Sequence, residues 1–289
     1  MKLAYLIVAH QNPDQLAILV HTLLVETNHI FVHIDAGSED DFSALYALEE
    51  TDSRLHILED QFRVNWGGFN LTLAVISLFN ACNQYETTFD YIFTLSGQDF
   101  PLVSNSHINA YLHQHQGTEF VEYHALPFEG WNYGGLDRIE YYWLIDEIGF
   151  SNSAAFVETQ RAEGVKRIPP DRLATHGGSC WMTITSGLMK YICETIQRDW
   201  AIIYPYFKYT LISDEILIQS IILHSPFAGK IVNNNLRYID WYSGPGFPKT
   251  LTLSDLDAAF DSGRLFARKI NTNSDNDIIE NIKNRMSLC

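Results

Sequence analysis

Cysteine is scarce in this chain: there are four among 289 residues, Cys82, Cys180, Cys193 and Cys289, with no CxxC spacing. That is too few for a secreted disulfide scaffold of this length, so all four read as reduced thiols. Long apolar runs are missing as well. None approaches the roughly 20 residues that a membrane span needs, and Met1-Lys2 leads straight into the apolar run from Leu3 to Ala9, which is too short for a signal peptide and has no cleavage site. The expected location is cytoplasmic, and peripheral attachment to the inner membrane face is compatible with it. Positive charge is also short, because 19 Lys and Arg stand against 35 Asp and Glu, a formal charge of −16. A field of that sign repels phosphate backbones and anionic lipid, so nucleic acid is not an expected partner. Any phosphate-bearing ligand has to meet a local cluster of the few cations.

Familiar signatures are absent too. No GxxxxGK[ST] occurs and no GxGxxG follows the first strand, so kinase, ATPase and dinucleotide oxidoreductase readings lose their main support. There is no HExxH, and the 11 histidines are scattered, which leaves a zinc site without spacing. His113 and His115, two apart in a helical stretch, face apart and read as surface residues. Sugar-nucleotide enzymes with an open α/β sheet often hold a divalent metal on a DxD at a central strand end. Here that strand end is Ser96-Gly97-Gln98-Asp99, which is not DxD. Asp255-Leu256-Asp257 and Asp275-Asn276-Asp277 match the letters but fall in the first turns of expected helices, where acids favour the dipole and cap.

What is present is a folded α/β protein, with 46% hydrophobic and 19% charged residues. The run Leu3 to Ala9 reads as a buried strand. Asn12-Pro13-Asp14 supplies an N-cap, a proline at the first helical position and an acid in the first turn, ahead of a helix carrying Leu16, Leu19, Val20, Leu23 and Leu24. A strand over 30–34 ends at Asp35. Such a crossover is right-handed and parallel, with ligands collecting at the strand carboxyl ends, where His10 and Asp35 sit. Further elements are expected as helix 40–49, strand 55–58, helix 70–83 and strand 91–95, followed by helices over 185–198, 213–224 and 275–285. The chain reads as a single domain over 1–289, with a nucleotide-binding half, 1–118, and an acceptor-binding and catalytic half, 119–289.

Two local features carry chemistry. Cations gather late, as Lys249 in Phe247-Pro248-Lys249-Thr250 and as Arg264, Arg268 and Lys269 in Arg264-Leu265-Phe266-Ala267-Arg268-Lys269. They read either as a diphosphate clamp or as a solvated basic face. Ser213-Asp214-Glu215 precedes an apolar helix, so capping is the default for both acids, although a single base on an acceptor hydroxyl would suffice for a one-step displacement.

Seven segments occur in the order seen in one family: Ala4 to His10, Val32-His33-Ile34-Asp35, Trp66-Gly67-Gly68, Leu95 to Pro101, Gly178-Ser179-Cys180-Trp181, Ser213-Asp214-Glu215 and Leu265 to Lys269. Over nearly its whole length the chain resembles glycosyltransferase family fourteen, the core-2/I-branching β-1,6-N-acetylglucosaminyltransferases and peptide O-xylosyltransferases. The resemblance implies a GT-A-like fold, a modified Rossmann-type open sheet with helices on both faces, and an inverting transferase that uses a UDP-sugar and no metal or other cofactor. It makes Glu215 the catalytic base and places Lys269 and Lys249 on the diphosphate, with lysine at 249 where many relatives have arginine. Arg268 and Asp99 go with the donor site, and Asp35 lies near the uridine. His10, Trp66 and Gly67 shape the same pocket, although His10 and Trp66 also fit as packed core residues, and Trp181 walls the sugar. Glu122, Arg138, Tyr238 and Trp241 fall near the acceptor, a saccharide or glycoconjugate.

The resemblance leaves the donor as UDP-GlcNAc, with UDP-xylose second and a different UDP-sugar third, and points to bacterial surface polysaccharide synthesis. Its eukaryotic members are membrane-anchored and disulfide-bonded, whereas this chain begins at its first strand with few cysteines. A non-catalytic carbohydrate or nucleotide-sugar binding protein is the reading from another class.

Overall fold

The computed structural model describes residues 1–289 apart from Glu26, Pro245, Phe247, Leu288 and Cys289. The readings of Cys289 as a thiol and of Phe247 in the late basic stretch lie outside the described residues. In chain order the first elements are β1 (Leu3–Ala9), α1 (Pro13–Leu23), β2 (His29–Ile34), α2 (Ser43–Thr51), β3 (Leu55–Ile57), α3 (Phe69–Gln84), β4 (Tyr91–Ser96), β5 (Asp99–Pro101) and α4 (Asn105–Gln114). There follow β6 (Glu119–Phe120), β7 (Tyr123–Ala125), α5 (Leu136–Glu140), α6 (Ile145–Ile148), α7 (Phe150–Ala162), β8 (His176–Gly178), β9 (Thr183–Thr185) and α8 (Ser186–Phe207). The last are α9 (Leu217–Leu223), β10 (Ile231–Val232), β11 (Arg237–Ile239), α10 (Leu256–Asp261), β12 (Phe266–Arg268) and α11 (Ile278–Met286).

The main sheet has seven strands in the order β10-β6-β9-β4-β1-β2-β3. Strand β1 pairs in parallel with both β2 and β4, whereas β9 runs antiparallel to β4. The period-two alternation of β1 divides the core between two faces. Leu3, Tyr5 and Ile7 share one buried cluster with Leu16, Leu19 and Leu23 of α1 and Ile278 and Ile282 of α11. Ala4 and Leu6 share the other with Phe69 and Phe79 of α3 and Leu188 and Ile192 of α8. This is the expected α/β architecture, an open sheet with helices on both faces. A smaller sheet, β11-β12-β5, closes over the carboxyl end of β4.

The start of α1 follows the sequence, since the Asn12 side chain accepts from the Gln15 N–H at 3.3 Å and Pro13 stands at the first helical position. The start of α3 is capped from a distance. Gly68 has no side chain to offer, and the Asp146 carboxylate accepts the Phe69 and Asn70 N–H groups at 2.8 and 3.2 Å. A Cβ at Gly68 would lie 2.3 Å from Asp146 Oδ1, so only glycine leaves room for that carboxylate. Asp146→Ala is therefore expected to destabilise the fold by about 1 kcal/mol, the usual worth of a lost cap. A lower urea midpoint with an unchanged slope would register it.

Two late expectations are corrected. The helix expected over 213–224 is split into a short 3-10 turn, Ser213–Glu215, and α9 from Leu217. Ile212 adopts φ 51 and Ile216 φ −127, and neither conformation continues a helix. Neither Asp214 nor Glu215 caps α9. Asp255, by contrast, completes a capping box with Thr252, as its position in the sequence suggested.

Candidate active site

The order β3-β2-β1-β4 changes direction between β1 and β4, and in open α/β sheets ligands bind at the carboxyl ends of the strands beside such a point. The residues delivered there are His10 after β1, Asp35 after β2 and the Ser96–Asp99 turn after β4. Asp35 Oδ1 accepts the Gly37 N–H at 2.6 Å and the Val64 N–H at 3.2 Å, which orders two loops around it. Gln15, buried in α1, donates to Gly97 O at 2.8 Å and Ile270 O at 3.1 Å and accepts from the Thr272 N–H at 2.9 Å. One side chain thus ties the end of β4 to the segment that follows β12.

The turn carrying Glu215 is fixed from beneath. Ile212 N–H donates to Gly67 O at 2.9 Å, and Thr72 Oγ1 meets Ser213 Oγ at 2.6 Å. Glu215 Oε2 accepts from Arg138 Nη1 at 2.8 Å, with 24% of the Glu215 side chain exposed. The Arg138 guanidinium lies 3.6 Å above the Trp131 ring, a cation–π contact that leaves little rotational freedom. Burial raises the Glu215 pKa, Arg138 lowers it, and the nearby Glu122 raises it again. Asp214 is fully engulfed beside Cys180, and burial together with the Glu215 charge pushes its carboxyl up to about 7. Glu122 is oriented by Asn235, which donates to its Oε2 at 2.8 Å, and burial raises its pKa as well. A half-buried carboxylate with a raised pKa and a cation fixing its rotamer is suited to general base work.

Cations stand opposite. In β12, Arg268 packs 4.4 Å over the ring of Trp181 and pairs with Asp99 at 3.2 Å, and its charge reaches Glu215. Lys269 follows it, half-buried, with an ammonium that forms no hydrogen bond or ion pair among the described residues. Desolvation and the adjoining Arg268 lower its pKa. His10 is lowered too, by desolvation and then by Lys269, against the pull of Asp35. An ammonium and a guanidinium side by side, both partly withdrawn from water, favour an anion between them.

The other expected residues lie differently. The segments that carry Lys249 and Lys269 are joined by a backbone bond from Leu251 N–H to Lys269 O at 2.8 Å, but the Lys249 ammonium is held 2.6 Å from Asp255 Oδ1. Its charge is answered within its own loop. Tyr238, in β11, is partly buried near Asp240 and Asp255 on that side, and Trp241 is 46% exposed. Trp66 is 69% exposed and meets Phe150 edge-on at 5.2 Å, so it is not a core residue. Gly67 is buried with φ 80 under Leu211 and Ile212, where it supports the Glu215 turn. Asp99 is 0% exposed and lies beneath the cleft.

Trp131, Asn235 and Gln15 escaped the sequence reading. Gln15 alone left a signal, a polar residue spaced by four from Leu19 and Leu23 on the buried side of α1.

The chain matches the Core-2/I-Branching enzyme family over residues 3–260. It is 22% identical to Xylosyltransferase 2 of Rattus norvegicus over 249 residues, 83% of this chain and 27% of that protein. It is also 22% identical to Xylosyltransferase sqv-6 of Caenorhabditis elegans over 294 residues, 93% of this chain and 34% of that protein. The chain thus spans about a third or less of the curated relatives it matches. Among solved structures, the galactosyltransferase LgtC is 12% identical with a TM-score of 0.39, covering 80% of this chain and 72% of that one. Because the match takes in β1, the β4 turn and the Glu215 turn alike, the chain belongs to the Core-2/I-Branching enzyme family.

Proposed function

We propose that this chain moves a sugar from a UDP-sugar to a hydroxyl of a saccharide acceptor in one inverting displacement, with no metal at the diphosphate. Glu215 takes the acceptor proton, the new C–O bond forms on the anomeric carbon, and the bond to phosphate breaks with its electron pair leaving on UDP. Arg268 and Lys269 meet the charge that develops on the diphosphate, and Asp35 accepts from the ribose. Fixed cations at a leaving group can supply about 3 kcal/mol or more in such a site. The observation that carries the reading is Lys269: in a chain of formal charge −16, a half-buried ammonium beside a guanidinium has no acid partner among the described residues.

The donor we favour is UDP-GlcNAc, from the Ser96-Gly97-Gln98-Asp99 turn. UDP-xylose is the second reading, supported by the similarity to xylosyltransferases. UDP release measured across a panel of nucleotide sugars, with and without a saccharide mixture, separates them. Acceptor-dependent release with one UDP-sugar is expected. Binding of a nucleotide sugar with no release under any combination would point to the non-catalytic reading.

The pH dependence follows from the site. Glu215 must be ionised to accept a proton, and burial raises its pKa, so the rate climbs with pH along a limb above the ordinary carboxylate range. Arg138 pulls that pKa down, so Arg138→Met is expected to displace the limb to higher pH in a kcat/KM profile. A limb left in place, or moved to lower pH, would separate Arg138 from the base.

A further inference from the structure

We propose that Asp99 is a positioning residue that acts on the donor only through Arg268, holding the guanidinium so that its free edge meets the diphosphate; this rests on the donor reading above. Asp99 and Arg268 are direct partners across the antiparallel β5 and β12 pair. Asp99 Oδ2 accepts the Ser96 N–H at 2.8 Å, the Ser96 hydroxyl at 2.6 Å and Arg268 Nη1 at 3.2 Å. The same Nη1 donates to Ser96 Oγ, and the guanidinium face rests 4.4 Å over Trp181. Ser96, Asp99 and Trp181 therefore fix the plane of a side chain that is 13% exposed.

An arginine carries five N–H donors. Those of Nη1 are taken, while Nε and Nη2 have no partner among the described residues. A planar edge of that kind suits two phosphate oxygens at once, which a lysine cannot match. The charge count agrees. Asp99 feels two guanidinium groups, Arg268 and the buried Arg237, whose hydrogen bonds go to Asn235 O, Thr94 O, Met182 O and Thr183 Oγ1. One carboxylate cannot neutralise both guanidinium groups. At the strand end where a carboxylate would be expected to bind a metal, this carboxylate secures a cation of the protein's own.

The test is equilibrium binding of UDP and of uridine to the purified chain and its variants. Uridine lacks the phosphates, so a change in folding or in the nucleoside pocket moves both ligands, whereas loss of the phosphate clamp moves UDP alone. Arg268→Ala is expected to weaken UDP by roughly 10- to 100-fold, the scale of a charge-assisted bond, and uridine by less than about twofold. Asp99→Asn should weaken UDP by about five- to tenfold, and adding it to Arg268→Ala should cost nothing more, because residues acting in one unit are not additive. Ser96→Ala loosens the same tether without removing a charge, so it serves if Asp99→Asn does not fold, and it should likewise add nothing to Arg268→Ala. Additive losses, or a UDP-to-uridine ratio unchanged in Asp99→Asn and Ser96→Ala although Arg268→Ala lowers it, would overturn the proposal while leaving the donor reading intact. A ratio unchanged in Arg268→Ala would take Arg268 off the diphosphate and overturn the proposal together with that part of the donor reading. A wild-type chain that binds no UDP would remove both.

Discussion

Glu215→Gln is expected to lower kcat by about a thousandfold, within the range that general base catalysis supplies, while UDP affinity changes by less than about threefold. Glutamine preserves the length and shape of the side chain, and its carbonyl oxygen can still accept from Arg138, which in the wild type donates at 2.8 Å. What is lost is the capacity to take a proton. Diphosphate contacts are assigned to other residues, so binding is retained. Measuring kcat alongside UDP binding separates this outcome from a collapsed site, which would lose both. An enzyme of undiminished kcat would move the base elsewhere, and Glu122, raised by burial and within electrostatic reach of Glu215, would be the next acid to examine.

Lys269→Ala is expected to affect both ground state and transition state, weakening UDP by about tenfold or more and reducing kcat as well, since charge on the departing diphosphate grows during bond breaking. The half-buried ammonium has no acid partner among the described residues, so its removal leaves no orphaned carboxylate behind. The same change at Lys249 is different in kind. There the ammonium neutralises Asp255, which also closes the capping box ahead of α10, and Lys249→Ala is expected to act first on stability. Paired UDP titrations and melting curves for the two variants distinguish these effects. Equal loss of UDP affinity from both would return Lys249 to the diphosphate.

The parallel half of the fold could be read from the sequence because its signals are local. An apolar run of strand length, the Asn12-Pro13-Asp14 start and the acid ending the next strand lie within 35 residues, and β1 falls where the run does. The Glu215 turn was harder to read. Acids ahead of an apolar run imply a cap, and the actual bend rests on Ile212 in a left-handed conformation secured by the Gly67 carbonyl, far away in sequence. Tertiary contact overrides propensity at that point. Lys249 shows the reverse problem, because charge clustering along a chain cannot tell which cation is already neutralised by a neighbour. The Asp99–Arg268 pair joins residues 169 apart, and no periodicity could have signalled it. Trp131 carried no motif, and its role beneath Arg138 is visible only once Gly177 of β8 packs against its ring.

The measurement closest to the centre of this account is acceptor-dependent UDP release in the presence of excess EDTA. If Arg268 and Lys269 supply the positive charge at the diphosphate, turnover is the same with chelator as without it, and added magnesium or manganese does not increase it. Activity that disappears on chelation and returns with a divalent ion would contradict the account.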